Sequence, residues 1–275
     1  MTHSRRDFVK LAGAITGALA GGATMSGPSA RAADTVKDAE KPALGLIYPP
    51  KRSGAPEEGV EMYAKEIRFV TTGLGLKTMT PEGYDAVVDH IGPAAKELAD
   101  KGAQAVVLMG TSLSFYKGAA FNNRLTETMK KASGLPCITM STGIVEGLRA
   151  VGATRVAAAT AYNDEVNGRL RVFLEESGFE VARTQGLGIE KIEDVLKVTQ
   201  PQLIDFGARV FKAADRADSI LVSCGGLRTL EILAPLEQKC HVPAVSSTPH
   251  ALWAGVRLLG LSGRAPGYGS LLDKG

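Results

Sequence analysis

The chain is poor in metal-binding side chains. Three cysteines and four histidines in 275 residues form no CxxC pair and no HExxH motif, so neither a zinc site nor any other metal site is expected. An odd number of cysteines, Cys137, Cys224 and Cys240, also excludes a complete disulfide framework. A long apolar run is missing too. The longest, Leu11 to Met25, is too short and too rich in Gly and Ala to span a bilayer. No cysteine follows it to carry a lipid, so no stable membrane anchor is expected. No low-complexity linker interrupts the rest.

What the N-terminus does contain reads as an address. Ser4-Arg5-Arg6-Asp7-Phe8-Val9-Lys10 has the form of a twin-arginine signal, and Ala30-Arg31-Ala32 offers a small-x-small cleavage site. Residues 1–32 are therefore expected to engage the twin-arginine export machinery and to be removed in the bacterial periplasm. They hold four of the 32 basic residues (Arg5, Arg6, Lys10, Arg31) and one of the 29 acidic ones (Asp7), leaving 28 of each. A mature chain near neutrality has no electrostatic footprint for nucleic acid or an anionic membrane.

Beyond the signal, short β-type runs alternate with longer amphipathic ones. Strands are expected at Leu44–Tyr48, Ile67–Thr71, Ala105–Met109, Cys137–Met140, Val156–Thr160, Glu180–Thr184, Ser219–Ser223 and Ala244–Ser246. Helical spacing appears over Tyr84–Lys101 and Val166–Ser177. This alternation predicts an α/β fold with parallel sheets covered on both faces. Pro49-Pro50, Gly110-Thr111-Ser112, Ala161-Tyr162 and Cys224-Gly225-Gly226 each follow a strand. The carboxyl ends of parallel strands line ligand crevices, so these four segments are expected to converge. Ala105–Ser112 and Ser219–Gly226 share a strand-then-small-residue form, which suggests two similar halves facing each other across a cleft. The expected domains are 41–148 with 249–275, and 149–248, in a monomer.

Cys224 stands out within that frame. A thiol followed by two glycines at a strand end places a proton donor beside exposed backbone N–H groups. That pairing suits chemistry at the carbon next to a carboxylate: the N–H groups hold an enolate-like oxyanion while the thiol moves a proton. A buried, inert cysteine is the competing reading. Cys137, after Pro136, reads as structural, and Cys240-His241 as a helix end.

Six segments carry a family resemblance: MGTSLSFYKGAAFN (Met109–Asn122), TPEGYDAV (Thr80–Val87), GLPCITMST (Gly134–Thr142), ATAYNDEVN (Ala159–Asn167), LVSCGGL (Leu221–Leu227) and RAPGYG (Arg264–Gly269). In this order, from about Leu44 to Asp273, the chain resembles the arylmalonate decarboxylases of the aspartate/glutamate racemase superfamily. Racemase and maleate isomerase branches have a cysteine where this chain has Gly110. Glycine there with cysteine at 224 resembles the decarboxylase branch.

The resemblance implies two flavodoxin-like halves and cofactor-free decarboxylation of a small dicarboxylate, an α-substituted malonate bearing an aryl or alkenyl group. It implies that Thr111, Ser112, Tyr162 and the backbone of Cys224 and Gly225 hold the retained carboxylate. Pro49, Leu76, Met79, Tyr84, Gly110, Ile192 and Val195 would surround the substrate, and Cys224 would protonate the enediolate on one face. The chain departs from the family in its export signal, in Lys51 and Arg52 after the double proline, and in Lys77 and Arg228 beside motif segments. Two alternatives stand beside this reading: a racemase or maleate-type cis-trans isomerase of the same superfamily, and a periplasmic carboxylate-binding protein.

Overall fold

A computed structural model describes residues 40–189 and 191–275; the expected signal, 1–32, lies outside the described residues. Among the described residues, eight strands form two four-stranded parallel sheets. The first contains β1 (Ala43–Tyr48), β2 (Arg68–Gly73), β3 (Ala105–Leu108) and β4 (Cys137–Thr139), ordered β2-β1-β3-β4. The second contains β5 (Arg155–Thr160), β6 (Glu180–Gly186), β7 (Ser219–Ser223) and β8 (Ala244–Ser246), ordered β6-β5-β7-β8. The orders are equivalent, so β3 and β7 occupy the same place in their sheets. That is the expected α/β architecture of two similar parallel-sheet halves.

Burial explains why these segments are strands. β1, β3, β7 and β8 are buried at every residue, as strands covered on both faces must be. The edge strands β2 and β6 are more open, and β6 alternates exposed and covered positions at several residues. Each strand lies within two residues of its expected bounds.

The expected helix over Tyr84–Lys101 is two helices, Pro81–Val88 and Ile91–Asp100. Pro93 causes the break. Proline has no N–H and clashes with the carbonyl four residues back, so it is accommodated only in a helix's first turn. The chain therefore turns at Asp89–His90 and restarts. Thr80 caps the first of these helices, its hydroxyl accepting the Gly83 N–H at 3.2 Å. A capping box of Thr199 and Gln202, with Pro201 in the first turn, opens Gln200–Lys212.

After β8 the chain returns to the first sheet. Helix Ser247–Leu258 packs on helix Met140–Ala150 and against β3 and β4. Its first residues therefore lie between the two sheets, where the strand-end loops meet. Cys137 is buried on β4 and Cys240 is partly buried at a helix end; no disulfide joins the three cysteines.

Candidate active site

The carboxyl ends of β1, β3, β5 and β7 open onto one cavity of about 660 Å³. Pro49 and Pro50 enter it from β1, Gly110, Thr111 and Ser112 from β3, Tyr162 from β5, and Cys224, Gly225 and Gly226 from β7. The four segments expected to converge do so. Leu76, Met79, Tyr84 and Val195 also line the cavity. The side chain of Ile192 lies outside the described residues.

Cys224 is 5% exposed. Burial pushes its thiol above the ordinary value, while the N–H groups of Gly226 and Leu227 and the Tyr162 hydroxyl, all facing the sulfur, pull it part of the way back. The thiol is therefore protonated at neutral pH, and three donors stand ready for the thiolate that proton loss would leave. A turn closed by the Leu227 N–H on the Cys224 carbonyl, 3.1 Å, aims those amides.

Tyr162 is buried, and desolvation raises its hydroxyl well above the tyrosine range. It remains a neutral donor in contact with Ser223 Oγ, 3.3 Å away, and with Thr111. Ser112 Oγ accepts the Tyr84 hydroxyl hydrogen at 2.7 Å and keeps its own hydrogen to give. Burial pushes the Tyr84 phenol up to about 12. Tyr84, expected around the substrate, thus also supports one of the donors.

Ser247 was not apparent from the sequence. It is fully buried, and its Oγ accepts both the Thr111 hydroxyl hydrogen, 3.1 Å, and the Cys224 N–H, 3.1 Å. Thr111 Oγ1 also lies 2.8 Å from Met140 Sδ. The structure departs here from the expected donor set: the Cys224 amide is occupied by Ser247, because β7 pairs with β8 (Val222 opposite Ser246) and Ser247 follows directly. Gly225, the next residue, lines the cavity. The visible signal was the polar run Ser246-Ser247-Thr248 at a strand end.

Gly110 has φ −138° and ψ 94°, a backbone any residue adopts, so glycine is needed there for space. A Cβ would stand 2.6 Å from Pro49 Cγ and 3.2 Å from Leu113 Cβ. The proline ring occupies the place a side chain at 110 would take.

Of the cations noted in the sequence, Lys77 is not among the lining residues, while Lys51, Arg52 and Arg228 are. Arg228 is tied to Glu231 and Glu57, which cancels most of its charge. The Arg52 guanidinium sits 4.9 Å above the Tyr48 ring. Lys51 and Arg52 are exposed at the mouth. Glu58, missed in the sequence, is a buried carboxylate in the wall.

The sequence model of the arylmalonate decarboxylase family matches residues 44–272. The chain belongs to the arylmalonate decarboxylase family. It is a carboxy-lyase. Arylmalonate decarboxylase of Bordetella bronchiseptica is 47% identical over 240 residues, which span 87% of this chain and all of that protein. A liganded crystal structure of an arylmalonate decarboxylase variant, with one Gly-to-Cys and one Cys-to-Ser exchange, superposes with a TM-score of 0.83. It is 47% identical and covers 86% of this chain and all of its own. A Cys-to-Ala variant of the maleate isomerase of Pseudomonas putida S16, crystallised with maleate, has a TM-score of 0.78 at 21% identity over 86% of this chain and 98% of its own. That likeness is one of fold: the decarboxylase family and the isomerase share the aspartate/glutamate racemase-like architecture.

Proposed function

We propose that this protein is a periplasmic, cofactor-independent decarboxylase of α-aryl or α-alkenyl malonates, in which Cys224 protonates the intermediate on one face. The observation that carries the reading is the environment of Cys224: a buried, protonated thiol with three donors facing its sulfur, in the same cavity as Gly110.

The retained carboxylate lies among the hydroxyls of Ser112, Tyr162 and Thr111, the last turning its hydrogen from Ser247 Oγ to the carboxylate, and the backbone of Gly225. The departing carboxylate is pressed toward Leu76, Met79 and Val195, where it loses hydration. The bond to that carboxylate breaks, its electron pair passes to the α-carbon and retained carboxylate, and neutral CO2 leaves. The resulting enediolate concentrates charge where the fixed donors stand. The Cys224 S–H transfers its proton to the α-carbon, and the thiolate is held by the Gly226 and Leu227 N–H groups until it takes a proton from water. With Gly110 opposite and the Pro49 ring filling that corner, position 110 offers no second thiol to the other face. This favours decarboxylation with a defined configuration over racemisation or isomerisation.

Export by the twin-arginine pathway is part of the same proposal. It is supported by the order of Arg5-Arg6, apolar stretch and Ala30-Arg31-Ala32, and by a family match that begins only at Leu44. Replacing Arg5 and Arg6 with lysine should hold the protein in the cytoplasm.

The deciding experiment gives the protein phenylmalonate and α-methyl-α-phenylmalonate in buffer containing a chelator. CO2 release from both is expected, with a single enantiomer of 2-phenylpropionate from the second. Silence across a panel of malonates, with tight unreactive binding in calorimetry, would make it a binding protein instead.

A further inference from the structure

The loop that carries Cys224 has little of its own to hold it. Two glycines follow the thiol, and the segment from Cys224 to Thr229 forms neither helix nor strand. Its start is fixed by the Cys224 N–H on Ser247 Oγ. Its far end is fixed from the other half of the molecule. Glu58 Oε1 accepts the N–H of Thr229 at 2.7 Å and of Leu230 at 2.8 Å. The Thr229 hydroxyl lies 3.4 Å from the same oxygen and 3.0 Å from Ser246 Oγ. Thr229 and Leu230 are fully buried, and Glu58 is 6% exposed.

Glu58 lies on helix Glu57–Tyr63, between β1 and β2 in sequence. That helix is a firm base, because it packs at Gly59 so closely that a Cβ would stand 3.0 Å from the Phe69 ring and 3.2 Å from Leu252. The preceding residue, Glu57, binds Arg228 of the same loop. Two successive glutamates therefore grip residues 228–230, directly after the Gly226 and Leu227 amides that face the Cys224 sulfur. An acceptor displaced here would let those amides, and the thiol, drift together.

We propose that Glu58 is a positioning residue for Cys224: by accepting two backbone amides at the end of the Cys224 loop, it holds the thiol on one face of the substrate. The inference rests on the reading of Cys224 as the proton donor, but the clamp itself has a separate readout. Charge is not what the clamp needs; an acceptor oxygen is. Glu58→Gln keeps that oxygen, and Glu58→Met keeps the shape without it.

The experiment compares these two variants with the unaltered protein. Alkylation of Cys224 by iodoacetamide, followed by peptide mass, is expected to be about tenfold faster in Glu58→Met and within about twofold of the parent in Glu58→Gln, as a loosened loop uncovers the thiol. With α-methyl-α-phenylmalonate, Glu58→Met should lose about 10- to 100-fold in kcat with little change in KM. It should also lower the enantiomeric excess, which a mere fall in the folded fraction would not do. Equal alkylation rates in the two variants overturn the clamp whether or not any malonate is turned over. If the parent fails to decarboxylate while the alkylation rates differ, the clamp stands and the catalytic reading falls. Should Glu58→Met not fold, hydrogen exchange in the parent decides: slow exchange at Thr229 and Leu230 supports the clamp, and exchange at the free-peptide rate overturns it.

Discussion

The Tyr84 hydroxyl points at Ser112 Oγ, 2.7 Å away, and reaches it from the helix Pro81–Val88. An unpaired serine hydroxyl turns freely, whereas one that accepts a hydrogen bond has its own hydrogen aimed elsewhere. Chained donors also strengthen one another. Tyr84→Phe should therefore lower kcat/KM by roughly 2- to 10-fold, the worth of about 0.5–1.5 kcal/mol for one such bond. Steady-state kinetics on phenylmalonate measure it, with the melting temperature as a check on folding.

Cys224→Ala should cut turnover by at least about 100-fold, the contribution of a positioned acid. The fold should survive, because alanine at this buried site removes one sulfur and leaves the Ser247 bond to the backbone intact. Circular dichroism and chiral product analysis test both halves of the statement; full activity would remove the thiol from the mechanism.

Gly110→Cys places a second thiol across from Cys224. The Pro49 ring must first give way, since it stands 2.6 Å from the new Cβ, and overpacking of this kind costs about 1–3 kcal/mol. The variant should melt lower yet exchange the α-hydrogen of a chiral 2-arylpropionate in D2O and racemise it. Absence of exchange would show that the substrate plane does not lie between positions 110 and 224.

Glu58 and His250 pull the stability of the protein in opposite directions. Burial raises the Glu58 carboxyl from 4.5 to about 7, against the Thr229 and Leu230 amides and Arg228, which lower it; Glu231 adds to the rise. The folded state then holds a proton that the unfolded state has released, so this contribution is complete below pH 4.5 and lost as pH climbs through about 7. Burial holds the His250 ring down from 6.5 to about 4, so its contribution is complete above pH 6.5 and lost as pH falls through about 4. Glu58→Gln removes the first effect. Relative to the parent, it should gain up to about 3 kcal/mol between pH 4.5 and pH 8, measured by urea unfolding.

Much of the fold could be read from the sequence because parallel strands buried on both faces leave unbroken apolar runs, as in Ala105–Leu108 and Ser219–Ser223. The rule that ligands gather at strand ends then brought Pro49, Gly110, Tyr162 and Cys224 together. The break at Asp89–His90 was missed because the apolar periodicity continues across it; only Pro93 marks the restart. Ser247 and Glu58 were missed for another reason. Their partners are backbone amides 23 and 171–172 residues away, and a contact with main chain leaves no residue pattern on the partner's side. The amide of Cys224 was assigned to the substrate for the same lack: nothing in Ser223-Cys224-Gly225-Gly226 says which N–H groups are already spoken for.

The single oxygen of Ser247 that accepts from Thr111 and from Cys224 has a consequence for traffic. Those donors belong to different sheets and Ser247 opens the helix that packs on the first, so a hinge that swung the halves apart would break the Cys224 bond, along with the Glu58 and Glu57 links to the Cys224 loop. Lys51, Arg52 and Leu196 are among the exposed residues of the cavity lining, on which substrate is expected to arrive. A dianion arriving there meets two cations first, whereas CO2, having no charge, leaves without being held.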